Sequence, residues 1–206
     1  MSVGSAPTFA LYLITDGAGE AMRLAVARAL EGGPSGSIAV QLRAKSLDGR
    51  ALTEEARKLL DITRKHHAPL FINDRIDVAL AVGAEGVHLP VKGLPCAVAR
   101  RLAPHLLLGA STHSLTEARA AVDGGADLLT FGPVYATPSK TALGSPVGVE
   151  ALADVVRAIV VPVYALGGVT LENAAACRRV GARLACIRAV LAAPDPATAV
   201  AALIHC

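Results

Sequence analysis

Short apolar segments alternate with longer amphipathic ones along the 206-residue chain, and this alternation constrains the fold more than any other feature. Each apolar segment is rich in β-branched residues or leucine, and the segment after it has helical periodicity. The predicted strands are ALYLIT (ending at Asp16), IAVQLR, PLFIN, GVHL, LLLGAS, LLTFG, VPVYAL and LACI. The predicted helices are Glu20 to Leu30, TEEARKLLDITRKHH with Thr53 as its cap, Ile76 to Val82, Ala97 to Leu102, Leu115 to Val122, Val149 to Ile159, Leu171 to Arg179 and Ala197 to Ile204.

Strands that alternate with helices pair in parallel, so the pattern predicts an α/β protein. Eight units of about 25 residues each fit a compact (β/α)8 TIM barrel, and a doubly wound open sheet is the competing fold. Gly-Ala turns precede several predicted strands, at Gly83, Gly125 and Gly181, and this repeated connection favours the barrel. We therefore expect one barrel domain over residues 1–206.

Charge and hydropathy exclude several classes of protein. The net charge is +3 with scattered basic residues, and a nucleic-acid surface would need them clustered beside aromatic side chains. No apolar run approaches the roughly 18 residues of a membrane span. The N-terminal segment lacks the basic region of a secretory signal, so we expect a cytoplasmic protein. The cysteines have no metal-binding or redox spacing; they are Cys96, Cys177, Cys186 and Cys206.

The carboxyl ends of barrel strands carry the chemistry, so the predicted strand ends give a list of candidate site residues. At the end of the second strand, Gln41, Arg43 and Lys45 occupy every second position and so share one face. Cationic side chains are predicted at the same mouth, namely Arg43, Lys45, Lys140 and Arg188. Hydroxyls accompany them at Ser111, Thr137 and Ser139. Together with the Gly167-Gly168 turn after strand seven, these groups predict a phosphate site.

Asp74 is the one carboxylate set among these cations. Magnesium typically takes one or two protein carboxylates and fills its shell from phosphates and water, so Asp74 is predicted to hold a magnesium ion that carries a diphosphate.

Alternatives stay open at this point. Asp74 could instead cap the helix from Ile76, Arg43 and Lys45 could be solvated strand ends, and His113 could be a polar loop residue. We expect His88, at the end of an apolar strand, to be structural.

Several motifs resemble the thiamine-phosphate synthase and thiazole tautomerase superfamily over essentially the whole chain. They are QLRAK, FINDRIDVALAVGAEGVHL, GASTHSLTEA, TFGPVYATPSK, ALGGVTLENAA and the late DP. The resemblance implies a (β/α)8 barrel, a cytoplasmic location and a role in thiamine biosynthesis. A synthase of this family joins an aminopyrimidine diphosphate to a thiazole phosphate and releases diphosphate.

The resemblance also implies a role for individual residues of this chain. Those expected to contact the pyrimidine diphosphate are Gln41, Arg43, Lys45, Asn73, Ser111 and Lys140. Those expected to contact the thiazole phosphate are Thr137, Ser139, Gly168, Ile187 and Arg188. Asp74 would hold Mg²⁺, while Arg43, Lys45 and Lys140 would stabilise the departing diphosphate.

The chain departs from the synthase pattern in three ways. Gly93 occupies the position where synthases usually carry a second magnesium-binding Asp, so the resemblance implies a weakened metal site. The His-Leu-Pro run and His113 are instead similar to the tautomerase branch, in which that histidine transfers protons. Arg188 replaces a small residue.

Three functions remain open at the sequence level. A synthase is favoured, because a tautomerase substrate with one phosphate and no pyrimidine has little use for the diphosphate set. The alternatives are a tautomerase with His113 as acid and base, and a non-catalytic regulatory barrel. The expected partners are small phosphorylated pyrimidines and thiazoles, with neither nucleic acid nor membrane; the sequence leaves homo-oligomerisation open.

Overall fold

Eight parallel strands form a closed barrel in chain order, as the computed structural model shows for residues 7–137 and 145–206. The strand that closes the barrel is the last one, and it pairs with the first in the register Leu11 to Leu184. The predicted (β/α)8 barrel is therefore confirmed, and the open sheet is excluded.

The strands are short and nearly every residue in them is buried. They are β1 (Leu11–Ile14), β2 (Ile38–Leu42), β3 (Leu70–Asn73), β4 (Gly86–Leu89), β5 (Leu107–Thr112), β6 (Leu128–Phe131), β7 (Val163–Ala165) and β8 (Arg183–Cys186). The helices around them are α1 (Glu20–Leu30), α2 (Gly49–Lys65), α3 (Ile76–Val82), α4 (Cys96–Leu102), α5 (Leu115–Asp123), α6 (Gly148–Ala158), α7 (Ala174–Arg179), α8 (Arg188–Leu191) and α9 (Pro196–His205).

Helix α2 begins four residues earlier than predicted, so the assignment of Thr53 as its cap is wrong. Asp48 is the N-cap, and its side chain accepts a hydrogen bond from the backbone N–H of Ala51 at 2.9 Å. The Thr53 hydroxyl instead donates to the carbonyl of Gly49 within the helix. Glu55 lies on the buried face of the helix and pairs with Arg23 of α1 at 2.6 Å.

Helix α7 begins at Ala174 and not at Leu171 as predicted. Asn173 explains the delay, because its side-chain oxygen accepts the Thr170 N–H at 2.8 Å and its amide donates to the carbonyl of Gly168 at 2.9 Å. These bonds hold the segment after β7 in a turn before the helix starts.

An aromatic cluster fills the barrel at the amino ends of the strands. Phe9 stacks on Tyr164 with 5.1 Å between ring centroids, and Tyr12 meets Phe71 edge-on at 5.3 Å. Tyr12, Phe71 and Tyr164 have no solvent exposure. Because this end is packed, the space for a ligand lies at the carboxyl ends of the strands. In the described part of the chain, no helix is sufficiently long and apolar to span a membrane.

Candidate active site

Among the residues that the structure describes, two clefts at the carboxyl ends of the strands are lined by predicted site residues. We call the first the β2–β3 cleft. It has a volume of about 370 Å³ and is lined by Leu42, Ala44, Lys45, Leu47, Leu52, Asn73, Asp74, Arg75 and Pro90. We call the second the β7–β8 cleft. Its volume is about 290 Å³, and Thr137, Gly167, Gly168, Thr170, Ile187 and Arg188 are among the residues that line it.

The alternation of Gln41, Arg43 and Lys45 persists although strand β2 ends at Leu42. Gln41 is buried inside the barrel, whereas Leu42 and Ala44 pack outward against the helices. Arg43 is anchored through its backbone, because its N–H donates to the Thr15 hydroxyl at 2.9 Å. The Arg43 side chain is 34% exposed and lies 3.9 Å from the carboxylate of Asp16, so it is partly solvated.

Lys45 is exposed and lines the β2–β3 cleft together with Asn73 and Asp74. Three of the predicted diphosphate and metal residues therefore share one cleft. The fourth cation predicted for the same mouth, Arg188, lines the neighbouring β7–β8 cleft instead.

Asp74 does not cap the following helix, so that alternative is wrong. The N-cap position of α3 is Arg75, and it has no side-chain capping bond. Asp74 has a left-handed φ of 64°, and its backbone N–H donates to the carbonyl of His88 at 2.8 Å. This conformation leaves the carboxylate exposed at the rim of the β2–β3 cleft.

Gly93 lies directly against Asp74. A β-carbon built on Gly93 would come within 2.7 Å of Asp74 Oδ1 and 2.9 Å of Pro90 Cδ. Among the residues that the structure describes, no group of three or more His, Cys, Asp or Glu side chains could hold a metal ion. A single carboxylate fits Mg²⁺ only when phosphate and water oxygens supply the rest of its shell.

A buried hydrogen-bonded network connects two residues that the resemblance assigns to the pyrimidine. Gln41 Nε2 donates to the Tyr12 hydroxyl at 3.3 Å, and that hydroxyl lies 3.3 Å from His88 Nδ1. The other ring nitrogen of His88, Nε2, lies 3.0 Å from the hydroxyl of Ser111. His88 is 2% exposed, in agreement with the structural role expected for it.

Tyr12 is the member of this network that the sequence did not single out. Its only signal was one tyrosine inside an otherwise aliphatic strand. Burial raises the pKa of Tyr12 well above its ordinary value, so its hydroxyl stays protonated. Gly109 of β5 makes room for the imidazole, because a β-carbon there would lie 2.5 Å from His88 Nδ1.

The β7–β8 cleft is built on glycine conformations. Gly167 and Gly168 have positive φ angles of 96° and 65°, and a β-carbon on Gly168 would lie 2.6 Å from the carbonyl oxygen of Ala136. Arg188 Nη2 donates to the Thr137 hydroxyl at 3.3 Å across the mouth. Thr137, Gly168, Ile187 and Arg188 are thus brought together as predicted, while Ser139 and Lys140 lie outside the described residues.

His113 lines neither cleft. Its backbone N–H donates to Glu117 at 2.7 Å, and its ring nitrogen Nδ1 donates to the carbonyl of Gly132. The ring contact ties the end of β5 to the end of β6, so the protein engages the imidazole through the nitrogen nearer the backbone.

The fold and these clefts define a (β/α)8-barrel protein with cationic, hydroxyl and carboxylate groups gathered at the carboxyl ends of its strands. The chain belongs to the thiamine monophosphate synthase family, whose sequence model, described as thiamine monophosphate synthase, matches residues 11–190.

Curated relatives and a solved structure agree with this family. The thiamine-phosphate synthase of Chloroflexus aurantiacus is 41% identical over 199 residues, which cover 95% of this chain and 91% of the relative. That of Anaeromyxobacter dehalogenans is 45% identical over 193 residues, 93% of this chain and 84% of the relative. The structure of thiamine phosphate pyrophosphorylase from Pyrococcus furiosus is 38% identical with a TM-score of 0.86, covering 96% of this chain and 94% of that one.

These comparisons confirm the predicted family and the prediction of an enzyme of the thiamine-phosphate synthase type, which is a transferase. They do not favour the tautomerase or the non-catalytic barrel.

Proposed function

We propose that the protein joins 4-amino-2-methyl-5-(diphosphooxymethyl)pyrimidine to thiazole phosphate and releases diphosphate. The observation that carries the proposal is the pair of clefts at one end of the barrel. One gathers Lys45, Asn73 and Asp74, and the other combines a glycine turn with Arg188 and Thr137. Two phosphorylated substrates need two such sites, whereas a tautomerase substrate needs one.

The pyrimidine ring is proposed to lie against Gln41 and Ser111, whose positions are fixed by the network through Tyr12 and His88. A buried amide that is already held by a hydrogen bond loses little conformational entropy when a ligand binds. The diphosphate then extends toward Asn73 and Lys45 in the β2–β3 cleft.

The reaction breaks the C–O bond between the pyrimidine methylene and the diphosphate, and the leaving diphosphate takes the electron pair. The thiazole nitrogen donates its lone pair to the resulting methylene cation and forms the new C–N bond. No proton transfer is required at this step, so the protein's task is to stabilise the departing negative charge. Arg43, Lys45 and Lys140 are proposed for that task, Lys140 on the family resemblance alone.

Magnesium is proposed to be carried in with the diphosphate, with Asp74 as its protein ligand. The bound ion would neutralise charge on the diphosphate oxygens. The exposed position of Asp74 at the cleft rim and the absence of a side chain at Gly93 support a metal site that is completed by the substrate.

The thiazole phosphate is proposed to bind in the β7–β8 cleft against the backbone of Gly168 and the side chains of Thr137 and Arg188, with Ile187 and Ser139 beside it. Arg188 supports this assignment, since its guanidinium is aimed across the cleft mouth at Thr137. A planar guanidinium suits phosphate recognition.

His113 is proposed to act in this synthase as a positioning residue and not as an acid or base. The hydrogen bond from its ring to Gly132 supports that role, because it links the loop after β5 to the segment that leads to Thr137. The cytoplasmic location expected from the sequence stays a prediction, as does the oligomeric state.

The proposal is tested by incubating the purified protein with both substrates and Mg²⁺ and detecting thiamine phosphate and diphosphate. Arg43→Ala and Lys140→Ala should each cost about 1.5–3 kcal/mol of transition-state stabilisation, the range for a charged hydrogen bond. Turnover by the unmodified protein that does not exceed the rate without enzyme would reject the synthase function.

A further inference from the structure

Arg75 is a cation in the β2–β3 cleft to which neither the strand-end pattern nor the family resemblance assigned a role. It follows Asp74 directly and lines the cleft with Lys45, Asn73 and Asp74. Its side chain is 40% exposed, so the guanidinium is neither buried in the core nor free in solvent.

The guanidinium of Arg75 is held in a fixed orientation by Asp77. Nε donates to Asp77 Oδ1 at 2.8 Å, and Nη2 donates to Asp77 Oδ2 at 2.6 Å. This two-bond arrangement leaves Nη1 with no protein acceptor among the described residues. A guanidinium that is already oriented loses less entropy when it binds an anion.

The start of helix α2 leaves room for this guanidinium. A β-carbon on Gly49 would lie 3.1 Å from Arg75 Nη2 and 3.7 Å from Nη1, so the group packs over the first residue of the helix. Asp77 is the main cause of the raised pKa of Arg75, and the nearby Asp74 carboxylate adds to it. Arg75 follows Asp74 directly and lines the same cleft, so its positive charge lies beside the place where the diphosphate and its metal are proposed to bind.

We propose that Arg75 is a diphosphate ligand of the β2–β3 cleft, in addition to Lys45. Lys45 and Arg75 are the two cationic residues that line this cleft, and the Asp74 carboxylate lies beside them, so a dianionic or trianionic ligand gains from a second cation on the same wall. Gly93 removes one carboxylate from this neighbourhood, which makes a direct contact between a cation and the diphosphate electrostatically less costly. The contribution of Arg75 is greatest when magnesium is scarce.

The test is calorimetric titration of inorganic pyrophosphate into the full chain, at millimolar Mg²⁺ and with Mg²⁺ chelated. Arg75→Gln should weaken binding about 10-fold or more, as expected for loss of a charged hydrogen bond. The loss should be larger without Mg²⁺. Arg75→Lys keeps the positive charge but lacks the planar guanidinium. Its affinity for pyrophosphate should lie between that of the unmodified protein and that of Arg75→Gln.

Arg157→Gln is the matched control, because Arg157 also pairs with a single aspartate, Asp154, on the last turn of α6 away from both clefts. It should bind pyrophosphate as the unmodified protein does. Pyrophosphate binding by a folded Arg75→Gln variant with unchanged affinity would overturn the inference. If that variant did not fold, unchanged affinity of Arg75→Lys would overturn it instead.

The inference rests on the proposed function only in naming the diphosphate as part of the substrate, and the two fail separately. If the unmodified protein formed no thiamine phosphate, the synthase proposal would fall, while pyrophosphate affinity would still decide the role of Arg75. If the unmodified protein turned over both substrates but bound no pyrophosphate, the Arg75 proposal alone would fall.

Discussion

Gly93 lies beside Asp74, and a β-carbon built on Gly93 would come within 2.7 Å of Oδ1 of the Asp74 carboxylate. The position where synthases of this family usually carry a second metal-binding Asp is therefore adjacent to Asp74 in this barrel. The departure at residue 93 changes the charge and the space at one defined place, directly beside the proposed metal ligand.

Gly93→Asp should make the thermal stability of the protein depend on magnesium. Two carboxylates in contact repel each other when no metal is present, and a bound cation relieves the repulsion. We expect a melting temperature below that of the unmodified protein in chelator and a larger rise on adding Mg²⁺. Turnover at low Mg²⁺ should rise as well.

Gly93→Ala separates charge from crowding at this position, because its β-carbon meets the same atoms of Asp74 and Pro90. It should lower the melting temperature without a magnesium response. Equal responses of the Ala and Asp variants to Mg²⁺ in differential scanning fluorimetry would count against a metal site at Asp74.

Tyr12→Phe should raise KM for the pyrimidine substrate and lower stability. The substitution leaves Gln41 Nε2 and His88 Nδ1 without the hydroxyl that joins them, and an unsatisfied buried polar group costs about 1–3 kcal/mol. Because Gln41 is then free to reorient, substrate affinity falls together with the free energy of unfolding. Denaturant melts and steady-state kinetics measure the two effects.

Tyr164→Phe is the control, because this tyrosine is equally buried but its hydroxyl bonds to the Phe9 carbonyl and to Arg183, and not to Gln41 or His88. A similar loss of stability with unchanged KM is expected. If both variants changed KM for the pyrimidine substrate equally, the effect of Tyr12→Phe would come from a general loss of stability. The hydrogen-bonded network would then have no specific role in substrate binding.

Gly168→Ala should weaken binding of the thiazole phosphate more than it lowers stability. Its φ of 65° strains any residue with a β-carbon by about 1–2 kcal/mol, and the new methyl would also press on the Ala136 carbonyl at 2.6 Å. The β7–β8 cleft must then shift. The expected readout is a KM for thiazole phosphate raised about 10-fold or more, with KM for the pyrimidine unchanged.

Gly36→Ala is the control for backbone strain. Its φ of 75° strains a residue with a β-carbon as Gly168→Ala does, but the nearest atom to that β-carbon is 3.6 Å away, so there is no steric clash. That glycine precedes β2 at the amino end of the barrel. A rise in KM for thiazole phosphate in both variants would mean that strain, and not the shape of the cleft, is responsible.

Alkylation should follow burial of the cysteines in the folded barrel. Burial raises the pKa of Cys186 to about 12, and the thiolate is the reactive form, so this thiol stays protonated and inert at pH 8. Cys206 is exposed and should react first. Mass spectrometry after a short iodoacetamide pulse identifies the sites; labelling of Cys186 at the rate of Cys206 would contradict the packing at the end of β8.

The barrel could be predicted from the sequence because local hydrophobic periodicity identifies each strand and helix. The strand ends then located Lys45, Asn73 and Asp74 in one cleft without any knowledge of distances. Helix α2 was predicted from Thr53 onward because two glutamates follow it, although Asp48 is the residue that accepts the capping bond. Competing caps within a few residues of each other are decided by the path of the preceding loop, which sequence does not specify.

The network beneath the site could not be predicted, for a different reason. Tyr12, His88 and Ser111 belong to β1, β4 and β5, and they meet only because the closed barrel brings inward-facing side chains of different strands together. Arg75 escaped notice as well. Its role follows from a bond to Asp77 and a packing contact with Gly49, which lies 26 positions before it in the chain.

The central claim is that this barrel stabilises a departing diphosphate and does not shuttle protons on a thiazole. The most direct measurement compares Asp74→Ala and His113→Ala with the unmodified protein on the two synthase substrates and on a thiazole carboxylate phosphate. We predict that the unmodified protein forms thiamine phosphate, that Asp74→Ala largely abolishes this activity, and that His113→Ala reduces it modestly. The claim is contradicted if only the carboxylate substrate reacts and His113→Ala costs about 10²–10⁴-fold, the usual contribution of a general acid or base, while Asp74→Ala has little effect.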